Sequence, residues 1–317
     1  MKPKLVLLLL LLWPGLAAAT YSIIACDPAT GRCGVAVATH NLAVGASVPF
    51  ATAGVAAGVS QFETNPHHRP AILAALAEEK TAAQALERGL QAGRRFNDGA
   101  GLADRQVAVV TITGDTSAHT GANAGAAAGH LAAPFVAVQG NGLASDEVLR
   151  AMLTTYQTTP GPLAEKLLVA LEAGEAAGGQ RIGVMSAALL VATPEGWPLD
   201  IDLRVDFAAG SAIGDLRESY NAVVARSRLF QAFRAQRRGD GPQASGLAKS
   251  ALALAPNWDR IWLNAAKLAR SMNDRDALRL RYCQFARLNP TWAVALAEDF
   301  RSVTCREALD DPLSPDQ

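Results

Sequence analysis

The sequence predicts an α+β fold in which helices cover sheets and the sheets face each other, followed by a smaller all-helical module. Three observations carry this expectation. Strand pairs come first, then two helices, more strands, two more helices and final strands, so the strict alternation of a parallel βαβ fold is absent. Beyond about Asp215 the strand signal vanishes and Arg-rich helical patterns take over. The 317 residues are 50% hydrophobic and 18% charged, a globular composition long enough for about two domains.

Thr20–Cys26 and Gly34–Thr39 are β-branched runs around the turn Asp27-Pro28-Ala29-Thr30-Gly31-Arg32, which reads as an antiparallel hairpin. Residues 47–61 (SVPFATAGVAAGVSQ) supply a second pair, small and apolar enough to be buried on both faces. Residues 70–80 and 82–92 carry apolar residues at helical spacing, with Thr81 placed to cap the second helix. Strand character returns over 106–113, 118–120 and 135–139. Ser145-Asp146-Glu147 opens a helix to about Tyr156, and Gly161-Pro162 opens another to Glu175. Residues 186–192 and 201–205 are the last strands, and Asp202, Arg204 and Asp206 form a surface charge row on the second of them. In the helical part, Ala255-Pro256-Asn257-Trp258 and Asn289-Pro290-Thr291-Trp292 recur 34 residues apart. This period resembles a tetratricopeptide repeat, with an ordinary helical bundle as the alternative. Two units are fewer than usually stand alone, so the module is expected to dock on the N-terminal domain, dimerise or hold a protein partner.

The N-terminus reads MKPKLVLLLLLLWPGLAAAT: Lys2 and Lys4, an apolar run from Leu5 to Trp13, and small residues at 17–19. That pattern predicts a signal peptide over residues 1–19, cleaved to leave Thr20 first, and a periplasmic or secreted protein. The apolar run stops at Pro14, far short of the roughly 20 residues that span a bilayer, so no stable membrane anchor is expected. Lys+Arg and Asp+Glu balance at 29 each, which gives no electrostatic footprint for nucleic acid. Four cysteines in an oxidising compartment suggest two local disulfides, Cys26–Cys33 and Cys283–Cys305, against the alternative of free thiols.

The motifs of the common hydrolases, P-loop proteins and dinucleotide enzymes are absent. What remains is residue one of the mature chain. A hydroxyl there is special because its own α-amine, with a reference pKa of about 8, can take the proton as the oxygen attacks. No cofactor is called for. His67-His68 lacks a third ligand nearby in sequence, so no metal site is expected.

The chain resembles the DUF1028 proteins, a branch of the N-terminal nucleophile (Ntn) hydrolase superfamily, over about residues 20–219. The resemblance is carried by TYSIIACDPATG at 20–31, GVAVATHNLAVG at 34–45, GVAAGVSQFETNP at 54–66, QGNGL at 139–143, GPLAEKLLVALEAG at 161–174, GGQRIGVMSAALLV at 178–191 and DLRVD at 202–206. It implies a four-layer αββα Ntn-hydrolase-like sandwich over 20–219 ahead of the tetratricopeptide-like module at 220–317. It further implies an amidohydrolase acting on a small-molecule or peptide amide, with Thr20 as nucleophile. His40, at the end of the second strand, is expected to orient the nucleophile or to be a hydrogen-bonded strand-end histidine. Asn141 is a candidate oxyanion donor or a turn former, Asn65 a substrate contact or a turn former, and Arg181 a holder of a substrate carboxylate. Ser186, which with Arg181 flanks a strand start, is a further candidate substrate-binding residue. Met185 stands where the family often has Gln, and Thr39 where it often has Ser. The alternative function is a catalytically silent periplasmic scaffold that binds a partner through the helical repeats.

Overall fold

The structure is a computed structural model that describes residues 19–305 apart from 97, 126, 197 and 198. Of the leader expected over residues 1–19, all but Ala19 therefore lies outside the described residues. The chain divides into two compact units, one reaching Leu216 and one beginning at Arg217.

The first unit is α+β. Strands β1 (Thr20–Asp27), β2 (Arg32–Thr39), β8 (Val136–Asn141), β9 (Ser186–Ala192), β10 (Ile201–Val205) and β7 (Gly129–Ala133) form an antiparallel sheet in the order β10-β9-β2-β1-β8-β7. A second antiparallel sheet, in the order β3-β4-β5-β6, holds β3 (Pro49–Thr52), β4 (Ala56–Phe62), β5 (Arg105–Thr111) and β6 (Thr116–Thr120). The two sheets face each other through an apolar layer in which Ile24, Val35 and Val37 meet Ala57, Val59, Ala108 and Val110. Alternation along each strand turns the intervening residues outward, where helices cover them. On the second sheet, Val107 and Val109 pack with Phe50 against Ile72 and Ala75 of α2 (His68–Ala77) and Ala85 and Leu86 of α3 (Ala82–Gly93). On the six-stranded sheet, α4 (Glu147–Thr158) and α5 (Leu163–Ala176) play this part, and Gly174 of α5 lies close to both Met152 and Tyr21.

Local chemistry fixes the element ends. Thr81 Oγ1 accepts from the Gln84 backbone N–H while Gln84 Oε1 accepts from that of Thr81, a reciprocal cap that starts α3 where the sequence places it. Gly89 lets α3 approach α2, since a Cβ there would lie 2.7 Å from Ile72 Cγ1. Cys26 and Cys33 sit opposite each other in the β1–β2 register and are bridged, with Cα atoms 4.1 Å apart. Two short elements escape the sequence pattern, the single turn α1 (Val44–Ser47) and the half-exposed strand β7. Both are too short, at 4 and 5 residues, to show a period.

Helix α6 (Ala212–Arg237) begins in the first unit and runs into the second, which continues with α7 (Gly241–Leu254), α8 (Asp259–Ser271), α9 (Arg275–Leu288) and α10 (Pro290–Ala295). Asp240, Asp274 and Asn289 cap α7, α9 and α10 by accepting the N–H of Gln243, Ala277 and Trp292. The core of this unit gathers Leu229, Ile261, Trp262, Leu263 and Phe285. Tyr282 stacks on Phe300 at 4.2 Å between centroids, and a Cys283–Cys305 disulfide closes the C-terminal end, with Cα atoms 5.4 Å apart.

Candidate active site

The strand register brings four polar residues into one row across the six-stranded sheet. Thr20 on β1 pairs with Thr39 on β2 and with Asn141 on β8, and Thr39 pairs in turn with Ser186 on β9. All four are buried. Two residues along, Ser22 pairs with Gln139, and on the facing sheet Gln61 pairs with Gln106. The space between the sheets is thus apolar at one end and lined by amides and hydroxyls at the other. Groups of this kind are tolerated in a core only when they bond one another.

They do so around Thr20. Its backbone nitrogen donates to Asn141 Oδ1 at 3.2 Å, and its carbonyl accepts from Gln61 Nε2 at 3.3 Å. Gln106 Oε1 is the hub: it accepts from Asn141 Nδ2 at 2.9 Å and from Gln61 Nε2 at 2.8 Å. Gln106 Nε2 donates to Gly140 O, Gly129 O and Thr120 Oγ1. Ser22 Oγ donates to Gln61 Oε1 at 2.8 Å. Gln139, fully buried beside them, leaves its Oε1 without a partner among the described residues.

The Thr20 hydroxyl lies 3.1 Å from Thr39 Oγ1. Thr39 has one proton, and it is directed to the carbonyl of Ala19 at 2.6 Å. The Thr20 hydroxyl is therefore the donor to Thr39, which also accepts from the Asn41 backbone N–H at 3.3 Å. No formal charge is buried in this cluster, so its electrostatics are those of aligned dipoles.

The other expected residues are placed as follows. Asn141 joins Thr20, but its Nδ2 is committed to Gln106, so it offers Thr20 an acceptor where the sequence suggested an oxyanion donor. Ser186 shares the row, yet its hydroxyl donates to Asn41 O at 2.6 Å and accepts from Val44 N–H at 3.1 Å, clasping the turn after β2. His40 is not hydrogen-bonded to Thr20. Its backbone N–H donates to Gln180 Oε1, and its ring lines a cavity of about 470 Å³ with Glu175, Met185 and Phe207, Nδ1 being buried without a partner among the described residues. Glu175 accepts from the Tyr21 hydroxyl at 2.5 Å, and burial together with this carboxylate pushes the Tyr21 pKa far above its ordinary value. Arg181 Nε donates to Leu143 O, and its exposed guanidinium is not brought to Thr20. Asn65 is a turn former: it donates to Gly93 O, accepts from His67 N–H, and takes Ser60 Oγ on its own N–H. His68 bonds the same Ser60 hydroxyl through Nδ1, and His67 meets the ring of Phe96 edge-on, so the two histidines face different partners.

Gln61, Gln106 and Gln180 were not singled out by sequence reasoning. Their signal was present in the first two: a glutamine interrupts the small and apolar run GVSQF, and another follows Arg105 at the head of the apolar run VAVV.

The crystal structure of a protein from Silicibacter pomeroyi, itself assigned to the DUF1028 family model, superposes with a TM-score of 0.57 at 30% sequence identity, covering 64% of this chain and 84% of that one. No curated protein matches. The model described as "Family of unknown function (DUF1028)" matches residues 20–216, the span that holds both sheets, all four covering helices and the whole Thr20 row, and on that match the chain belongs to the DUF1028 family.

Proposed function

We propose that the protein is an exported Ntn-type amidohydrolase whose nucleophile is the Thr20 hydroxyl, unmasked by cleavage after Ala19. One observation carries the reading: Thr20 begins the central strand β1 with its nitrogen on Asn141 Oδ1 and its hydroxyl on Thr39 Oγ1, inside a buried polar cluster. Once residue 19 is removed, the Thr20 nitrogen is an α-amine that is partly unprotonated near neutral pH. Asn141 Oδ1 then accepts one of its protons and aims its lone pair, because Gln106 holds the Asn141 amide in one orientation. The amine takes the hydroxyl proton as Oγ attacks an amide carbonyl, and returns it to the leaving nitrogen. Water then hydrolyses the resulting ester with the same amine as base. The leader pattern and the two disulfides support export, and the facing sheets with outer helices support the Ntn-like sandwich. For the second unit, the 34-residue recurrence supports a tetratricopeptide-like module.

The test is N-terminal sequencing and intact mass of the secreted protein with and without a β-lactone. A chain that begins at Thr20 and gains one inhibitor mass there is expected. Thr20→Ala should abolish the adduct and Thr20→Ser should retain it. A chain that begins elsewhere and stays unmodified would leave the scaffold role of the helical unit as the better account.

A further inference from the structure

The residue that precedes Thr20 is itself held as an acyl group would be. Ala19 is 3% exposed, and its carbonyl oxygen receives the Thr39 hydroxyl proton at 2.6 Å. Both remaining acceptor directions of Thr39 are filled by donors, the Thr20 hydroxyl and the Asn41 N–H, so its own proton has one place to go. The Ala19 methyl rests against Gly142, whose backbone is left-handed at φ 58°, and a Cβ on Gly142 would lie 2.5 Å from the Ala19 Cβ. The place thus has a donor for one carbonyl oxygen and a backbone packed directly against the methyl group beside it.

We propose that this place is the acyl subsite of the mature protein. In it Thr39 Oγ1 is a catalytic residue that donates to the substrate carbonyl oxygen, and Gly142 limits the substituent next to that carbonyl to about the size of a methyl. The substrate class is accordingly an amide or ester of an alanine-like acyl group. This rests on the reading of Thr20 as nucleophile. As the Thr20 Oγ–carbon bond forms, the carbonyl π pair moves onto oxygen and meets the Thr39 proton. The pair returns as the bond to the leaving group breaks, while the Thr20 hydroxyl proton gives up its bond to Thr39 Oγ1, passes to the α-amine and goes from there to the leaving group.

The experiment uses the secreted full chain, its N-terminus sequenced, with the p-nitrophenyl esters of N-acetylalanine and N-acetylleucine as probes. Thr20 acylation is followed by intact mass and nitrophenolate release. The alanine ester is expected to acylate at least roughly tenfold faster than the leucine ester, the scale of a few methylenes in a closed pocket. Thr39→Val should slow acylation about 10²–10³-fold with little change in KM, as for removal of one oxyanion donor, and Thr39→Ser should restore most of the rate. Equal rates for the two esters, or a Thr39→Val variant that acylates normally or changes only KM, overturn the subsite while leaving Thr20 as nucleophile. A chain beginning at Thr20 that a β-lactone modifies but neither ester acylates overturns the subsite alone; one that neither the lactone nor the esters modify overturns the parent reading and the subsite with it, as does a chain that begins elsewhere.

Discussion

Asn141 presents Oδ1 to the Thr20 nitrogen and cannot turn its amide around, because Gln106 Oε1 holds the Nδ2 end at 2.9 Å. Gln106 is itself fixed: its two Nε2 hydrogens are shared among two backbone carbonyls and Thr120 Oγ1. One glutamine on the four-stranded sheet thus sets which face of an asparagine meets the first residue of β1 on the other sheet.

Removing that hub is expected to be costly. Gln106→Leu keeps the volume but leaves Asn141 Nδ2 without its acceptor and Gln61 Nε2 without one of its two in a buried cluster, at about 1–3 kcal/mol for each orphaned N–H. Urea unfolding should show a loss in that range with an unchanged denaturant slope. If the Asn141 amide is free to rotate in this variant, the rate of Thr20 acylation should fall even under conditions where the protein is fully folded.

The sequence carried the elements and little of their meeting. The hairpin around residues 27–32, the Thr81 cap and the two helices after Asp146 and Pro162 are local: each depends on residues within a turn or two, and each appears where the pattern places it. Thr20 meeting Asn141 depends on a register across 121 residues, which no local period encodes. Gln61 and Gln106 are buried polar residues in apolar strands, a visible anomaly whose partners were not. His40 shows the opposite failure. Its position at a strand end was legible, but which way the ring turns depends on the loop that brings Met185 and Phe207 beside it.

The pH dependence of stability should carry a signature of His68. Burial, and after it the positive charge of Arg105, lower its pKa from 6.5 to about 4, with smaller pushes from His67 and His119 and an opposing pull from Asp98. A histidine whose folded pKa is depressed binds fewer protons folded than unfolded. Its contribution is fully present above about pH 6.5 and is lost as pH falls from there towards 4. The loss should reach no more than about 3.5 kcal/mol below the lower end. Unfolding curves at pH 7, 6, 5 and 4 should show His68→Gln less stable than the parent at pH 7 and less sensitive to acid across this window. Parallel curves for the two proteins would show that His68 protonates freely in the folded state.

The two disulfides close loops of different length and should act on different units. Chain-entropy arguments give about 2–3 kcal/mol for the bridge with a separation of 7 residues and about 3–4 kcal/mol for the bridge with a separation of 22. Replacing Cys283 and Cys305 by alanine should lower hydrogen-exchange protection in α8 and α9 and leave β1 and β2 unchanged. Replacing Cys26 and Cys33 should do the reverse. Coincident loss of protection in both units from either pair would mean that the chain unfolds as one cooperative body.

Ser186 distinguishes a structural clasp from a substrate contact. It stands in the same row as Thr20, one strand beyond Thr39, but both of its bonds go to the turn after β2: the hydroxyl donates to Asn41 O and accepts from Val44 N–H. That turn also supplies the Asn41 N–H that reaches Thr39 Oγ1, so the clasp holds the geometry of the Thr20 hydroxyl partner from behind. Ser186→Ala should take the donor from the Asn41 carbonyl and leave the buried Val44 N–H without its acceptor, and lower stability by about 1–3 kcal/mol. Amide exchange should quicken at Asn41 and Val44. Ser186→Cys, a weaker donor and acceptor of similar size, should fall between the two in both measurements. An alanine variant as stable as the parent, with unchanged exchange and a raised KM for an ester probe, would instead make Ser186 a substrate contact and leave the turn held by its backbone alone.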